Sequence, residues 1–269
     1  MRAHLAASTQ ARDRSYLRSL ILPKFGATNV GNITTADIET WVRGLGRAPE
    51  TVHKAFQILS GVLSRAVRTR RISVNPALLA EGLPRIERTE MRFLTVDEVK
   101  RLAAACDGYE TLVWAAALTG LRWAELVGLR WSNVNLETRT ITVAETVVEV
   151  DGRLITKGPK TPASRRQVVA PVSLIDMLEP GHGSVFGRLH GSNFRKRVWE
   201  PATREVGLEG VRFHDLRHTQ AAWLIERGVH PKVIQHRLGH SSIKVTLDRY
   251  GHLMEGLDAA AADGLDGML

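Results

Sequence analysis

The sequence predicts a mainly α protein: an N-terminal helical domain, then a mostly helical domain that carries one small antiparallel β-sheet. Three observations lead there. Apolar residues recur at helical spacing through residues 1–80 and again from residue 94 onward. The segment between them, 81–93 (EGLPRIERTEMRF), alternates acids with arginines and has no apolar face. Only the stretch between residues 139 and 170 alternates β-branched residues as strands do. A chain of 269 residues is long for one core and sufficient for two.

Residues 9–20 are expected to form the first helix, with Pro23 ending it. Thr34 or Thr35 then opens ADIETWVRGL, where Ile38, Trp41, Val42 and Leu45 share a face and Gly44 and Gly46 close the element. The strongest helix follows Pro49, with Val52, Ala55, Phe56, Leu59, Val62, Leu63, Ala66 and Val67 along one side. Its end carries Arg65 and Arg68, followed by Arg70 and Arg71. A solvated basic end that complements the helix dipole and a stripe that contacts phosphates account for these four equally well. Asn75-Pro76 marks a turn.

The second domain opens at Thr95, which with Glu98 three residues later makes a capping box. Helices are expected at 109–119 and, after Gly120, at 122–128. Residues 139–150 read as one strand, Asp151-Gly152 as a hairpin turn, and 153–156 and 164–170 as partner strands. Lys157-Gly158-Pro159-Lys160 lies in a turn between those partners. Helices resume at 173–178, 192–206, 214–227, 231–238 and about 242–249, and a short helix is expected at 254–263.

The chain carries 37 Lys and Arg against 28 Asp and Glu, a formal charge of +9. Such an excess fits a polyanionic partner, and equally a protein that is merely basic and soluble. Residues 1–90 hold 14 basic against 7 acidic residues, while the last 15 residues hold four acids and no Lys or Arg. The excess therefore belongs to the body of the protein. No apolar run reaches membrane-span length, and the opening MRAHLAASTQARDR lacks the apolar stretch of a signal peptide. The single cysteine, Cys106, excludes an intramolecular disulfide, reads as a small core residue and fits a reducing, cytoplasmic setting.

Four segments carry chemistry: TGLRWAEL at 119–126, PKT at 159–161, HDLRH at 214–218, and LGHSS at 238–242 followed by Asp248-Arg249-Tyr250. His214 and Arg217 are three apart, as are Arg122 and Glu125, so each pair shares a helix face. A planar guanidinium grips two phosphate oxygens at once. Two arginines and two imidazoles around one phosphodiester would offset its charge, and more so the pentacovalent transition state. Glu125 cannot face a phosphate, but it can orient an arginine or histidine. A tyrosine hydroxyl, with a pKa near 10, becomes a useful nucleophile when cations stabilise its phenolate, and Tyr250 is one of only three tyrosines. Lys160 could protonate a leaving oxygen. Each piece has an ordinary alternative: a structural Arg122–Glu125 ion pair, a plain helix start at HDLRH, a packing role for Tyr250. His214 and His218, four apart, could hold a metal, but no HExxH pattern, third ligand or supporting cysteine accompanies them.

In order and spacing this set resembles the tyrosine recombinases, or phage integrase family, whose signature is TGLR-x-x-E, a lysine in a β-hairpin turn, H-x-x-R, L-G-H and a later tyrosine. Arg122 with Glu125, Lys160, His214 with Arg217, His240 and Tyr250 supply every element over roughly 130 residues. The opening LPKFG, ITTADIETWV, long helix and NPA are similar to the family's core-binding domain. The resemblance implies a core-binding domain over 1–80, a linker at 81–93, a catalytic domain over 94–253 and a tail, 254–269, that docks on a neighbouring protomer. It implies a site-specific DNA recombinase: Tyr250 forms a 3′-phosphotyrosine, Arg122 and Arg217 hold the phosphate, His240 hydrogen-bonds to it, His214 assists proton transfer and Lys160 protonates the leaving oxygen. One bond is exchanged for a similar one, so neither ATP nor a metal cofactor is expected. The implied partners are double-stranded DNA at core attachment sites and three further copies of the chain in a tetramer that resolves a Holliday junction. A monomer free in solution and an accessory directionality factor complete the expectation. Because the chain begins almost at the core-binding helices, binding at core sites without separate arm sites is expected. A chromosomal dimer-resolving recombinase, a type IB topoisomerase and a non-catalytic DNA-binding protein are the competing readings.

Overall fold

The computed structural model describes residues 6–87, 91–158, 165–254, 262–263 and 265. It divides into two compact units, Met1–Thr89 and Glu90–Leu269.

The first unit is all helix. α1 (Ala7–Tyr16) runs into a π-turn (Leu17–Ile21) and on into α2 (Leu22–Phe25). Pro23 does not end the helix, contrary to the sequence expectation. The wide turn pairs the Leu22 amide with the Leu17 carbonyl five residues back, and the widened backbone tolerates a proline that lacks a donor. In α3 (Thr35–Gly44) the start is Thr34: its Oγ1 accepts the Asp37 amide while the Asp37 carboxylate accepts the Thr34 amide. α4 (Pro49–Arg68) buries Val52, Ala55, Leu59, Leu63 and Ala66, and the first four pack with Ile21, Phe25, Ile38 and Trp41. Each large apolar side chain so buried contributes roughly 1.5–3 kcal/mol. Val62, expected on the same face, is exposed.

In the second unit, α5 (Val96–Ala105) starts from the expected Thr95–Glu98 box and packs on α6 (Glu110–Thr119). α7 (Trp123–Val127) follows. The run 139–150 is two strands rather than one: β2 (Thr140–Val143) joins a three-stranded antiparallel sheet between β1 (Val134–Asn135) and β5 (Arg166–Val169). β3 (Thr146–Val150) instead pairs with β4 (Arg153–Lys157) as a separate hairpin. The chain breaks at residues 144–145, where its backbone lies against Gly128 just past α7: a Cβ at Gly128 would stand 3.1 Å from the Glu145 carbonyl oxygen and from Thr146 Cα. Asp151 and Gly152 make the hairpin turn with φ of 49° and 75°.

After the short α8 (Val172–Asp176), residues 191–205 repeat the π-turn device of the first unit. α9 (Gly191–Phe194) runs through a π-turn (Arg195–Trp199) into α10 (Glu200–Glu205), which carries Pro201 in its first turn. α11 (Asp215–Glu226), α12 (Pro231–Leu238) and α13 (Ile243–Tyr250) follow. The main core lies between α5, α6, α7, α10 and the three-stranded sheet, with Cys106 fully buried in it. A second cluster, Ala221, Ile225, Ile234, Leu238 and Tyr250, lies between α11, α12 and α13, and Met91 and Phe93 pack against it. The Leu94 amide donates to Thr219 Oγ1 at 3.0 Å and its carbonyl accepts Trp223 Nε1 at 3.0 Å, which ties this entry segment to α11.

Candidate active site

Two helix ends build the site. α6 closes at Gly120 with φ 65° and α12 at Gly239 with φ 62°, the left-handed caps that glycine takes without strain. Helix ends leave carbonyls without an intrahelical partner. Here arginines fill the gap. Arg217, in the first turn of α11, donates from Nη1 to the Gly120 carbonyl and from Nη2 to that of Leu238. Arg122 Nη2 donates to the Gly239 carbonyl at 3.3 Å, and Arg166 Nε to that of Arg237 at 2.7 Å. A side chain on Gly239 would put its Cβ 2.8 Å from Arg166 Nη1, and one on Gly120 would meet the Gln220 amide. The glycines of TGLR and LGH thus let distant segments close on the same arginines.

Glu125 organises the cations. It accepts the Arg122 amide at 2.8 Å and Arg122 Nη1 at 2.8 Å, and receives Arg166 through Nη1 and Nη2 at 3.0 Å each. Burial alone would raise its carboxyl, but the Arg166 hydrogen bonds and charge, with the Arg122 amide and guanidinium, hold it down to about 2. Arg122 keeps 37% of its side chain exposed, whereas Arg166 and Glu125 are buried.

Tyr250 ends α13 with its ring fully buried. Its hydroxyl lies 2.7 Å from His218 Nδ1. The His240 ring stacks over it, 6.5 Å between centroids and 12° between planes, with its own Nδ1 2.9 Å from Thr246 Oγ1. His214, just before α11, is exposed and meets the edge of the His218 ring at 4.9 Å. Burial, together with nearby arginines, holds His240 down to about 3; His214, exposed on one side, is pushed down too, by desolvation on its packed side and then by His218 and Arg217. Burial pushes the Tyr250 phenol up while Arg217 and Arg249 pull against it. Burial and the Arg122 charge push Arg217 down to about 9, which leaves it charged at neutral pH.

These contacts place Arg122, Glu125, His214, Arg217, His240 and Tyr250 in one cluster. A guanidinium has five N–H donors. Among the described residues, Arg122 and Arg217 each commit two of them to protein oxygens, which fixes both groups and leaves donors for an anion. Lys160, the remaining basic residue of the expected set, lies outside the described residues, as does most of the tail. Arg65, Arg68, Arg70 and Arg71 belong to the first unit, where Arg68, Arg70 and Arg71 are exposed and Arg65 is exposed at the rim of a groove. That groove, of about 370 Å³, is lined by Arg65 and Arg68 with Asp13, Leu17, Lys54 and Gly61. Among the described residues, no group of three His, Cys, Asp or Glu is placed to hold a metal ion, so His214 and His218 stand as a pair without a third ligand.

Two residues take roles that the sequence does not signal. Arg166 opens a strand and shares its inner face with Val168, and only its pairing with Glu125 reveals its role. His218 reads as a companion of His214, yet its hydrogen-bond partner is Tyr250, 32 residues on.

Comparisons with known proteins agree along the chain. The model of the phage integrase family matches residues 92–256, and that of the phage integrase central domain matches residues 1–82. The ICEBs1 integrase of Bacillus subtilis is 27% identical over 272 residues, covering 91% of this chain and 74% of its own. The integrase of Mycobacterium phage D29 is 25% identical, covering 90% of this chain and 70% of its own. The fold is similar to that of the Tn1549 transposon integrase in complex with a circular intermediate DNA, with a TM-score of 0.78, 17% identity and coverage of 93% and 91%. It is also similar to a lambda integrase dimer bound to a core site, with a TM-score of 0.68, 19% identity and coverage of 90% of each chain.

Proposed function

The chain belongs to the phage integrase family, and on that footing we propose how its site works as that of a site-specific tyrosine recombinase, a DNA strand transferase. Tyr250 attacks the scissile phosphate, leaving a 3′-phosphotyrosine and a free 5′-hydroxyl. Arg122 and Arg217 hold the non-bridging oxygens with the N–H groups that the protein leaves uncommitted. They stabilise most strongly the extra charge of the pentacovalent transition state. His240, pinned by Thr246, presents its other ring nitrogen to the phosphate; exposed His214 stands at the solvent side of the cluster, where it assists proton transfer. Lys160 protonates the leaving 5′ oxygen. Glu125 and Arg166 touch no substrate; they set the angle at which Arg122 meets it. A 5′-hydroxyl from a partner strand then reverses the step, and two rounds pass through a Holliday junction.

The observation that carries this reading is that Tyr250 lies beside Arg217 and His240, groups that are 33 and 10 residues away in sequence. Because the Tyr250 ring is fully buried, cleavage requires the residues that cover it to open and admit the phosphodiester to its hydroxyl. The partner is double-stranded DNA at core attachment sites, held by the exposed arginines of the first unit. The working assembly is a tetramer formed on DNA from monomers, in the cytoplasm, with an accessory factor setting direction. No described helix is long and apolar enough to cross a membrane.

The test is a nicked duplex carrying the junction sequence of the genetic element that encodes the protein, incubated with chelator present. Wild type should yield a denaturant-resistant protein–DNA adduct and Tyr250→Phe none. An adduct of equal yield from Tyr250→Phe removes the assignment of the nucleophile.

A further inference from the structure

We propose that His218, rather than either histidine of the signature, takes the proton from Tyr250 as its oxygen attacks the phosphate. This rests on the reading of Tyr250 as nucleophile and goes beyond it by naming the base.

The geometry singles out His218. Its Nδ1 lies 2.7 Å from Tyr250 Oη, and it is the one hydrogen-bond partner of that hydroxyl among the described residues. Both side chains are buried, so no bulk water competes for the proton. The two rings stand 5.8 Å apart at 57°, an arrangement that aims the imidazole edge at the oxygen. His240 is badly placed to accept that proton, because it stacks on the tyrosine ring and its Nδ1 is engaged by Thr246. His214 reaches the His218 ring rather than the phenol.

The charge state fits. Burial, with Arg249, Arg217 and Arg212 nearby and Asp215 opposing them, holds His218 down to about 4. The ring is therefore unprotonated near neutral pH. With its hydrogen on Nε2, Nδ1 offers a lone pair and the phenol donates to it. A phosphodiester brought to Tyr250 adds negative charge beside the imidazole and raises its proton affinity at the moment it is needed.

The step balances without a further reactant. The Oη–H bond breaks and the proton passes to Nδ1; the freed electron pair forms the Oη–P bond; the P–O5′ bond breaks and the 5′ oxygen takes a proton from the general acid. On rejoining, the incoming 5′-hydroxyl gives its proton to the deprotonated general acid, its oxygen forms the new O5′–P bond, the Oη–P bond breaks and His218 returns the proton to Tyr250. Nothing is oxidised or reduced.

The experiment is single-turnover adduct formation on the nicked duplex across pH 6 to 9, with the wild type, Tyr250→Phe, His218→Asn and His218→Phe. Asparagine offers a hydrogen-bonding group near the Nδ1 position but cannot take the proton; phenylalanine tests the site with an apolar ring that the surrounding cluster accepts. Both His218 variants should bind the duplex as wild type does and cleave roughly 100-fold or more slowly. The His218→Asn rate should climb with pH as hydroxide replaces the base, while the wild-type rate levels off. A duplex with sulfur at the 5′-bridging position, whose leaving group needs no proton, should leave the defect in place. A His218→Asn rate within about threefold of wild type reduces His218 to a positioning role, and rescue by sulfur moves it to the leaving-group side; either overturns the proposal. If wild type forms an adduct, Tyr250→Phe none and His218→Asn is fast, this proposal alone fails. If wild type forms none, the nucleophile assignment fails with it.

Discussion

Arg166 grips Glu125 with both ends of its guanidinium, Nη1 to Oε1 and Nη2 to Oε2, each at 3.0 Å and both side chains buried. Arg122, which is partly exposed to solvent, takes its orientation from the same carboxylate. Removing one partner of a buried pair strands the other's charge, so Arg166→Met should lower unfolding free energy by about 3–5 kcal/mol. Denaturant melts read this directly. The double change Glu125→Leu with Arg166→Met should recover most of the stability while cleavage stays low, because Arg122 is left without its orienting carboxylate. Recovery of both together would show that the pair is structural only.

Acid should destabilise the protein in two stages. His218 and His240 are buried, with pKa values of about 4 and about 3 against an ordinary 6.5. Depressed in the fold, they contribute stability above pH 6.5 that is lost as pH falls and the unfolded chain takes up protons first. At its steepest this amounts to roughly 2–3 kcal/mol per pH unit for the two. Glu125, at about 2 against 4.5, adds a loss of about 3 kcal/mol between pH 4.5 and 2. Melts of wild type and His240→Phe from pH 7 to 4 should show a shallower slope in the variant; identical slopes would place His240 in solvent.

Gly239→Ala should cost about 1–3 kcal/mol, because a left-handed backbone and a Cβ beside Arg166 Nη1 strain the same position. Cleavage should fall as well, since the Gly239 carbonyl holds Arg122. Thermal melts with adduct assays check both, and an unchanged melting temperature would mean that the cap has room to relax.

How much of this is legible in the sequence follows from where each signal lives. The capping box at Thr95, the face of α4 apart from Val62 and the hairpin turn at Asp151 are local, and short-range rules find them. Arg122, Glu125, His214, Arg217, His240 and Tyr250 are visible as a spaced set, and the fold brings them together. Arg166 and the hydrogen bond of His218 are hidden because each depends on a partner far along the chain, 41 and 32 residues away. Pro23 misleads because the sequence shows the missing donor and not the π-turn that makes room for it. The single strand expected at 139–150 fails for a similar reason: its break lies against the chain just past α7 and is marked by no turn residue of its own.

Arg65 and Arg68 are cations in the last turn of α4. As phosphate contacts they should each steepen the dependence of DNA affinity on salt. Removing both as alanines should lower the slope of log K against log salt by about 2, similarly for every duplex sequence tested. An unaltered slope would assign them to the solvated helix end.

The central claim, that Tyr250 becomes bonded to a DNA phosphate within this cluster of basic groups, is tested most directly by peptide mapping. The adduct trapped on the nicked duplex is digested with nuclease and protease, and the peptide that carries the residual nucleotide is sequenced by mass spectrometry. The account predicts a 3′-linked nucleotide on Tyr250 in wild type, with none recovered from Arg217→Ala. A nucleotide on Tyr16, Tyr109 or a histidine, or on Tyr250 at full yield without Arg217, would contradict it.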